Sequence, residues 1–212
     1  MFVPKLYYFY WRDRGGRVRW LLEELNVKYT AQLLDFSKGE HESNWYLKIN
    51  PNSRVPALVD GTNILLETGA IFCHLVDKFP EAELAPLSGS SLRNEFYKWV
   101  FYAAATLEPY VRQIEVLGRV ENDEFVASQM EIIIADFNEI KNSLLLALKG
   151  NDYLIGGKFS AADIMVGEAL RYCKNAKLFD ESDADLNTYL RRLWNRPAFE
   201  KVRSIGPDRL GG

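Results

Sequence analysis

The sequence predicts an α/β domain followed by an all-helical domain. Segments of strand and helix character alternate over the first ~80 residues, in the order of a βαβ unit followed by a hairpin. Beyond residue 92, the long segments all have the 3.6-residue apolar period of amphipathic helices. The stretch from Pro80 to Ser91 contains two prolines, one glycine and three serines. We therefore expect an N-terminal domain at 1–80, a linker at 81–91 and a helical C-terminal domain at 92–212.

The N-terminal domain is predicted to begin with two strands joined by a helix. The aromatic run from Leu6 to Tyr10 has strand character, and Tyr29–Leu34 is the second strand. Asn26 can end the helix between them, because asparagine tolerates the left-handed conformation. The apolar face of that helix has i, i+3, i+4, i+7 spacing and consists of Val18, Leu21, Leu22 and Leu25.

A hairpin and a second helix complete the predicted N-terminal domain. The apolar runs Ala57–Val59 and Ile64–Leu66 flank Asp60-Gly61-Thr62-Asn63, which is typical of a tight turn. Thr68 is then placed to cap a helix. The apolar positions of that helix are Ile71, Phe72, Leu75, Val76 and Phe79.

The C-terminal domain is predicted to be a bundle of helices. Leu92–Leu117 forms one aromatic-rich helix with a bend at Pro109, because an interior proline lacks a backbone donor. A second long helix covers Asp123–Lys149. Ser160-Ala161-Ala162-Asp163 is a variant of the capping box and begins a third. Two shorter helices follow, over Leu186–Trp194 and from Pro197.

Composition excludes several classes of protein. The net charge of −3 lacks the basic excess of a nucleic-acid-binding chain. Only two cysteines, Cys73 and Cys173, are present, which excludes a disulfide-dense scaffold and fits a reducing compartment. No apolar run reaches the ~18 residues that a membrane span needs, and the first residues lack the layout of a signal peptide. We expect a soluble cytoplasmic protein with neither a nucleic-acid nor a membrane partner.

Three motifs occur along the chain, with the linker between the second and the third. The motifs are Asn50-Pro51 with Arg54-Val55-Pro56-Ala57-Leu58, then Leu66-Glu67-Thr68-Gly69-Ala70-Ile71, then Gly157-Lys158-Phe159-Ser160-Ala161-Ala162-Asp163. In order and spacing they resemble the motifs of the glutathione transferase family, and the resemblance covers essentially the whole chain. It implies a thioredoxin-like N-terminal domain joined to a helical bundle, usually in a homodimer.

The resemblance implies that the chain binds glutathione, a tripeptide with two carboxylates, an amine and a thiol. It implies a cis peptide at Val55–Pro56, whose turned backbone would pair with the cysteinyl unit as an added strand. Thr68 would donate to the γ-glutamyl carboxylate at a helix N-terminus, and Glu67 would accept from the amine. His41 and Arg54 resemble the basic positions that hold the glycyl carboxylate. The alternatives are a plain helix cap for Thr68 and a solvated side chain for His41.

The residue that activates the thiol stays open at this stage. A free thiol has a pKa of ~8.5, and a nucleophilic role at neutral pH needs roughly 2–3 kcal/mol of thiolate stabilisation. Tyr8 lies where tyrosine-type members of the family place their activating hydroxyl. Serine and cysteine types use the next loop, but Tyr10–Arg14 contains neither residue. The alternative is a guanidinium from Arg12 or Arg14, which would stabilise the thiolate by its charge.

The second substrate is expected to be an apolar electrophile. Its candidate contacts are aromatic, and the alternative for each is ordinary packing; they are Tyr10, Trp11, Phe101, Tyr102 and Tyr110. The histidines and cysteines show no metal-ligand spacing, so no metal is expected. The sequence thus predicts a detoxifying glutathione transferase that acts on hydrophobic electrophiles, with glutathione peroxidase activity as a side reaction. The alternative is a non-catalytic binding or regulatory protein of the same fold.

Overall fold

A computed structural model describes residues 2–204, which form four β-strands and nine α-helices. Contacts divide the chain into two units, one up to Leu84 together with the residues from Asn195, and the other over Ala85–Trp194. The limits expected from the sequence, 1–80 and 92–212, differ from this grouping in the last helix. In chain order the helices are α1 (Arg14–Glu24), α2 (Asn44–Leu47), α3 (Thr68–Lys78), α4 (Arg93–Phe101), α5 (Glu108–Leu117), α6 (Asp123–Leu148), α7 (Ala161–Asn175), α8 (Ala184–Trp194) and α9 (Pro197–Ser204).

The N-terminal unit is built on a four-stranded mixed sheet. Its strands are β1 (Lys5–Tyr8), β2 (Thr30–Leu33), β3 (Ala57–Asp60) and β4 (Asn63–Leu66), in the spatial order β2-β1-β3-β4. β1 and β2 are parallel and joined by α1, whereas β3 runs antiparallel to both β1 and β4. A βαβ unit followed by a hairpin is the predicted thioredoxin-like order.

The two faces of this sheet carry different cores. Side chains alternate along a strand, so neighbouring residues of β1 point to opposite faces. Tyr7 packs with Leu34, Tyr46 and Ala57 on the face that includes the short helix α2. On the other face α1 packs against α3 and α9. The sequence did not predict α2, because four residues are too few to show a helical period.

Local signals placed several boundaries correctly. Asn26, just beyond α1, has the left-handed φ of 52° that its position predicted. Gly61 turns the β3–β4 hairpin at a φ of 65°. Pro197 begins α9, as expected for a proline in the first turn.

The helical unit contains one irregularity, at the place where the sequence predicted a bend. A π-helical segment, Tyr102–Leu107, separates α4 from α5 just before Pro109. The N–H of Glu108 donates to the carbonyl of Ala103, five residues earlier. Proline has no N–H to continue the ordinary pattern, and the extra residue in this turn accommodates the break.

Helix α7 forms the centre of the helical unit. Every residue from Ala161 to Leu170 is buried. The predicted capping box is confirmed, since the Asp163 carboxylate accepts from the Ser160 N–H at 2.8 Å and closes the first turn. Over residues 2–204, the helices are too short or too polar to traverse a lipid bilayer.

Candidate functional site

Three of the segments expected to contact glutathione meet at one end of the sheet. Ala57, the first residue of β3, pairs with Tyr7 near the end of β1 and with Leu66 at the end of β4. The residues that close β1, precede β3 and follow β4 therefore share one edge. These residues are Tyr8, Val55–Pro56 and Glu67–Thr68.

The loop before β3 is fixed by two buried side chains. The Val55–Pro56 peptide is cis, as the resemblance implied. The carbonyl of Arg54 accepts from the hydroxyl of Tyr46 at 2.6 Å and from the side-chain amide of Asn50 at 2.7 Å. These bonds hold the main chain around Val55, while the Arg54 side chain itself is exposed. The sequence motif contained Asn50 but did not reveal this clamping role.

His41 is packed under the same loop. Its side chain is only 6% exposed, stacks on Phe36 with centroids 4.7 Å apart, and meets Phe9 edge-on at 5.2 Å. The hydroxyl of Ser53 donates to the His41 carbonyl at 2.9 Å. Nε2 lies 3.7 Å from a carboxylate oxygen of Glu42, and Nδ1 has no hydrogen-bond partner within residues 2–204. His41 is therefore not a solvated surface side chain.

The start of α3 differs from the expectation that Thr68 caps it. Glu67 is the N-cap residue, with a φ of 65°, and Thr68 is already the first helical residue and buried. A positive φ is uncommon outside glycine, and here it turns the chain from β4 into α3. Within residues 2–204, the N-cap residue Glu67 makes no side-chain capping bond to the first amides of α3. Such a helix start favours a bound carboxylate, because its N–H groups and dipole present positive charge.

Tyr8 is buried on the α1 side of the sheet. Its side chain is 6% exposed, and its hydroxyl oxygen accepts from Nη1 of Arg19 at 2.7 Å. The guanidinium carbon of Arg19 also lies 5.2 Å from the centre of the Tyr8 ring. A phenol oxygen that accepts from a guanidinium still carries its own proton for donation.

Asp13 is a residue of the candidate site that was not predicted from the sequence. One carboxylate oxygen accepts from the N–H of Gly16 at 2.8 Å and caps α1. The other accepts from the N–H groups of Phe9 and Tyr10 at 2.9 and 3.2 Å. Burial raises the pKa of Asp13 to about 6, despite these stabilising bonds. An aspartate just before a helical run is the signal that could have identified it.

The loop closed by Asp13 carries four of the predicted site residues. Arg12 and Arg14 are exposed, and the Arg12 guanidinium carbon lies 4.6 Å from the centre of the Trp11 ring. Tyr10 and Trp11 are half-buried, with ring centroids 6.0 Å apart. The structure thus brings these cationic and aromatic side chains together on one loop.

The other aromatic candidates belong to the helical unit. Phe101 ends α4 and is 63% exposed. Tyr102 packs edge-on against Trp99 at 5.2 Å and donates its hydroxyl to the Ile140 carbonyl at 2.7 Å. Tyr110 is half-buried in α5. Tyr102 therefore has a packing role that links α4 to α6.

Comparison with known proteins assigns the family. The model of the glutathione S-transferase N-terminal domain matches residues 4–77, and that of the C-terminal domain matches residues 94–202. The chain belongs to the glutathione S-transferase family. All three motifs named from the sequence lie inside the matched ranges. Over residues 2–204, His, Cys, Asp and Glu side chains form no group of three or more that could hold a metal ion.

Individual members of the family are moderately similar. Glutathione S-transferase 2 of Schizosaccharomyces pombe is 32% identical over 163 residues, which cover 71% of this chain and 68% of that protein. The transcriptional regulator URE2 of Saccharomyces cerevisiae is 35% identical over 140 residues, which cover 63% of this chain and 39% of that protein. The chain spans less than half of the length of the URE2 proteins it matches.

A solved structure covers almost the whole chain. The glutathione transferase URE2P6 of Phanerochaete chrysosporium, in complex with oxidized glutathione, is 28% identical with a TM-score of 0.81. The match covers 95% of each chain. It extends over both units of the fold described above.

Proposed function

We propose that the protein is a glutathione transferase that conjugates the thiolate of reduced glutathione to hydrophobic electrophiles. The observation that carries this proposal is the shared sheet edge, where the main chain before β3, the uncapped start of α3 and Tyr8 meet. The complex of URE2P6 with oxidized glutathione supports glutathione as the ligand. Detoxification, and peroxidase activity on organic hydroperoxides as a side reaction, belong to the same proposal.

The tripeptide is proposed to bind along this edge by its main chain and its two ends. The cysteinyl unit pairs with the backbone of Val55 as an added strand. The γ-glutamyl carboxylate sits on the first amides of α3 with the Thr68 hydroxyl, and Glu67 accepts from the amine. His41 and Arg54 hold the glycyl carboxylate. Nδ1 of His41 has no hydrogen-bond partner among the described residues, which supports the part of His41 in this.

Tyr8 is proposed to activate the thiol by donating a hydrogen bond from its hydroxyl to the sulfur, which stabilises the thiolate after the thiol proton has passed to solvent. The thiolate then attacks the electrophilic carbon, and the leaving group, such as a halide, departs with the electron pair of the broken bond. Arg12 and Arg14 add positive charge to the adjacent loop and stay the alternative activators. Tyr10 and Trp11 are proposed apolar contacts of the electrophile, and Phe101, Tyr102 and Tyr110 are the corresponding candidates of the helical unit.

Replacement of Tyr8 by phenylalanine tests this activation. A hydrogen bond to a charged acceptor contributes ~1.5–3 kcal/mol, so Tyr8→Phe should raise the titration midpoint of bound glutathione by roughly 1–2 pH units. The midpoint is read from thiolate absorbance, and kcat/KM is measured with chlorodinitrobenzene. Tyr7→Phe is the matched control, because Tyr7 is the neighbouring strand tyrosine on the opposite face.

The outcomes separate the parts of the proposal. An unchanged midpoint in Tyr8→Phe would reject the tyrosine, and a shift in Arg14→Ala would then assign activation to the arginine. Calorimetry with millimolar reduced glutathione that shows no saturation would reject glutathione binding altogether.

A non-catalytic binding or regulatory protein is the second candidate. The match to the transcriptional regulator URE2 favours it, as does the lack of serine and cysteine in the loop after β1. Retention on immobilised glutathione without turnover of chlorodinitrobenzene would support this candidate over the enzyme.

The cellular setting is a further part of the proposal. We place the protein in the cytoplasm, as its composition and its two cysteines indicate, and as a homodimer, as the family resemblance implies. Light scattering on the purified protein gives its mass in solution, and a monomer would reject the dimer.

A further inference from the structure

A continuous chain of hydrogen bonds leads from α9 to the hydroxyl of Tyr8. Lys201 of α9 pairs with one carboxylate oxygen of Glu23. The other oxygen accepts from the Tyr29 hydroxyl at 2.5 Å. Tyr29 accepts from Nε of Arg19 at 3.1 Å, and Nη1 of the same guanidinium donates to Tyr8 at 2.7 Å. We call Glu23, Tyr29, Arg19 and Tyr8 the phenol relay.

The chemistry of these groups fixes the direction of every bond in the phenol relay. An ionised carboxylate only accepts and a guanidinium only donates. The Tyr29 hydroxyl must therefore donate its hydrogen bond to Glu23 while its oxygen accepts from Arg19. Burial and the bond to Glu23 raise the pKa of Tyr29 to about 12, so this hydroxyl keeps its proton at neutral pH. By the same rule, the proton of Tyr8 cannot point to Arg19.

The guanidinium of Arg19 is anchored through two of its nitrogens, Nε and Nη1, and has little freedom to move away from Tyr8. It is 9% exposed, and the carboxylate of Glu23 is equally buried. A guanidinium is a rigid fork, so anchoring Nε on Tyr29 sets the direction in which Nη1 points. A fixed positive charge beside the phenol oxygen also strengthens the O–H as a donor, because hydrogen bonds in series polarise one another.

We propose that Glu23 and Tyr29 are positioning residues for the reaction, which act through Arg19 to hold the Tyr8 hydroxyl in the state that donates to the glutathione thiolate. This inference rests on the proposed function, since it requires Tyr8 to activate the thiol. It assigns a role in thiol activation to side chains that do not touch glutathione.

The next residue of α1 offers a matched control. Glu24 also pairs with a cation at the start of the C-terminal segment, since Arg196, the residue just before α9, donates to its two oxygens at 2.7 and 2.8 Å. Its other partner is the indole N–H of Trp20, at 2.9 Å, rather than a member of the phenol relay. Glu24→Gln therefore weakens the α1–α9 contact and leaves the route to Tyr8 intact.

Tyr29→Phe is the variant that breaks the phenol relay. The thiol of bound glutathione should titrate at higher pH, and the acidic limb of kcat/KM with chlorodinitrobenzene should move with it. At about pH 6.5, kcat should fall roughly three- to tenfold, the effect of one ordinary hydrogen bond, while KM for glutathione changes by less than about twofold. Glu24→Gln should leave both the midpoint and kcat unchanged.

Glu23→Gln provides a second, less disruptive variant if Tyr29→Phe does not fold. It keeps the size of the side chain and removes its charge, so the midpoint should rise in the same direction by a smaller amount. Circular dichroism and thermal unfolding of both variants report whether the fold is retained at the assay temperature.

Combination with Tyr8→Phe distinguishes failure of the phenol relay from failure of the proposed function. The inference stands if Tyr29→Phe adds no further shift in the Tyr8→Phe background. The inference fails if Tyr8→Phe alone moves the midpoint, or if Tyr29→Phe still shifts the midpoint in the Tyr8→Phe background. It also fails if Glu24→Gln shifts the midpoint as much as Tyr29→Phe does. The transferase proposal survives all three results. A wild-type protein without thiolate absorbance at millimolar glutathione would reject both.

Discussion

Single polar residues hold the main chain of the candidate site in place. Asn50 fixes the loop before β3 and Asp13 fixes the loop after β1, and both do so through backbone groups. Neither residue needs to touch a ligand. The substitution of such a residue should therefore change stability and loop geometry together.

Asp13→Asn should change the pH dependence of stability. The pKa of Asp13 is raised from 3.8 to about 6, so the folded state binds the proton more tightly than the unfolded state. The corresponding stabilisation is complete below about pH 4 and is lost as pH rises to about 6, a change of roughly 3 kcal/mol. Asparagine cannot titrate, so its free energy of unfolding should lack this component.

Urea unfolding of both proteins from about pH 4 to pH 7 measures the difference. The wild-type protein should lose stability relative to Asp13→Asn over this interval. Parallel curves for the two proteins would show that the buried carboxylate does not titrate there.

The residues of the site divide into those that sequence could predict and those it could not. Glu67 and Val55–Pro56 belong to local motifs, so their place beside a strand end followed from the sequence. The burial of His41 depends on Phe9 and Ser53, which come from elsewhere in the chain. The phenol relay escaped prediction for the same reason, because Tyr29 meets Glu23 and Arg19 only after β2 pairs with β1.

Helices and strands were predicted where a period was long enough to be recognised. The bounds of α6 agree with the predicted Asp123–Lys149 to within a residue, and α7 begins at its predicted capping box. The π-helical segment was predicted only as a bend at Pro109, because proline shows that a hydrogen bond is lost but not which pattern replaces it. The apolar period of a segment also does not predict which residues pack closely against other segments, and Gly16 of α1 is an example.

Gly16→Ala should destabilise the start of α1. A Cβ at Gly16 would lie 1.8 Å from the carbonyl oxygen of Trp11, a backbone atom that cannot move without opening the loop. Overpacking of this kind costs about 1–3 kcal/mol or more, which outweighs the gain of about 1 kcal/mol in helix propensity. Chemical denaturation measures the loss.

Gly118→Ala is the matched control for this substitution. Gly118 follows α5 with an ordinary helical φ, and an added Cβ would meet its nearest atom at 3.6 Å. The control should be neutral or stabilising by up to about 1 kcal/mol, because alanine restricts the unfolded chain. Equal losses in the two variants would mean that the contact with Trp11 is not what limits position 16.

At the scale of the whole molecule, the N-terminal unit is assembled from both ends of the described chain. Arg196 and Glu24 are 172 positions apart in sequence and form a bidentate ion pair. Phe199 of α9 packs on Trp20 of α1 with ring centroids 4.8 Å apart. No local pattern predicts a partner at such a distance, which is why the sequence placed α9 with the helical domain.

Arg196→Ala should destabilise the fold by about 2–3 kcal/mol. The carboxylate of Glu24 is only 8% exposed, and loss of its cation leaves a buried charge with weaker compensation. Arg203→Ala, which removes an exposed ion pair with Glu200 from the adjoining helix α9, should cost less than about 0.5 kcal/mol. Comparable unfolding midpoints for the two variants would contradict the importance of the buried pair.

The position of α9 has a consequence for biosynthesis. All four strands leave the ribosome before any residue of the helical unit, yet the helix that covers Trp20 is made after that unit is complete. One side of α1 therefore stays uncovered while more than a hundred further residues are synthesised. Of the two units, the one whose synthesis begins earlier is thus the one whose packing is completed later.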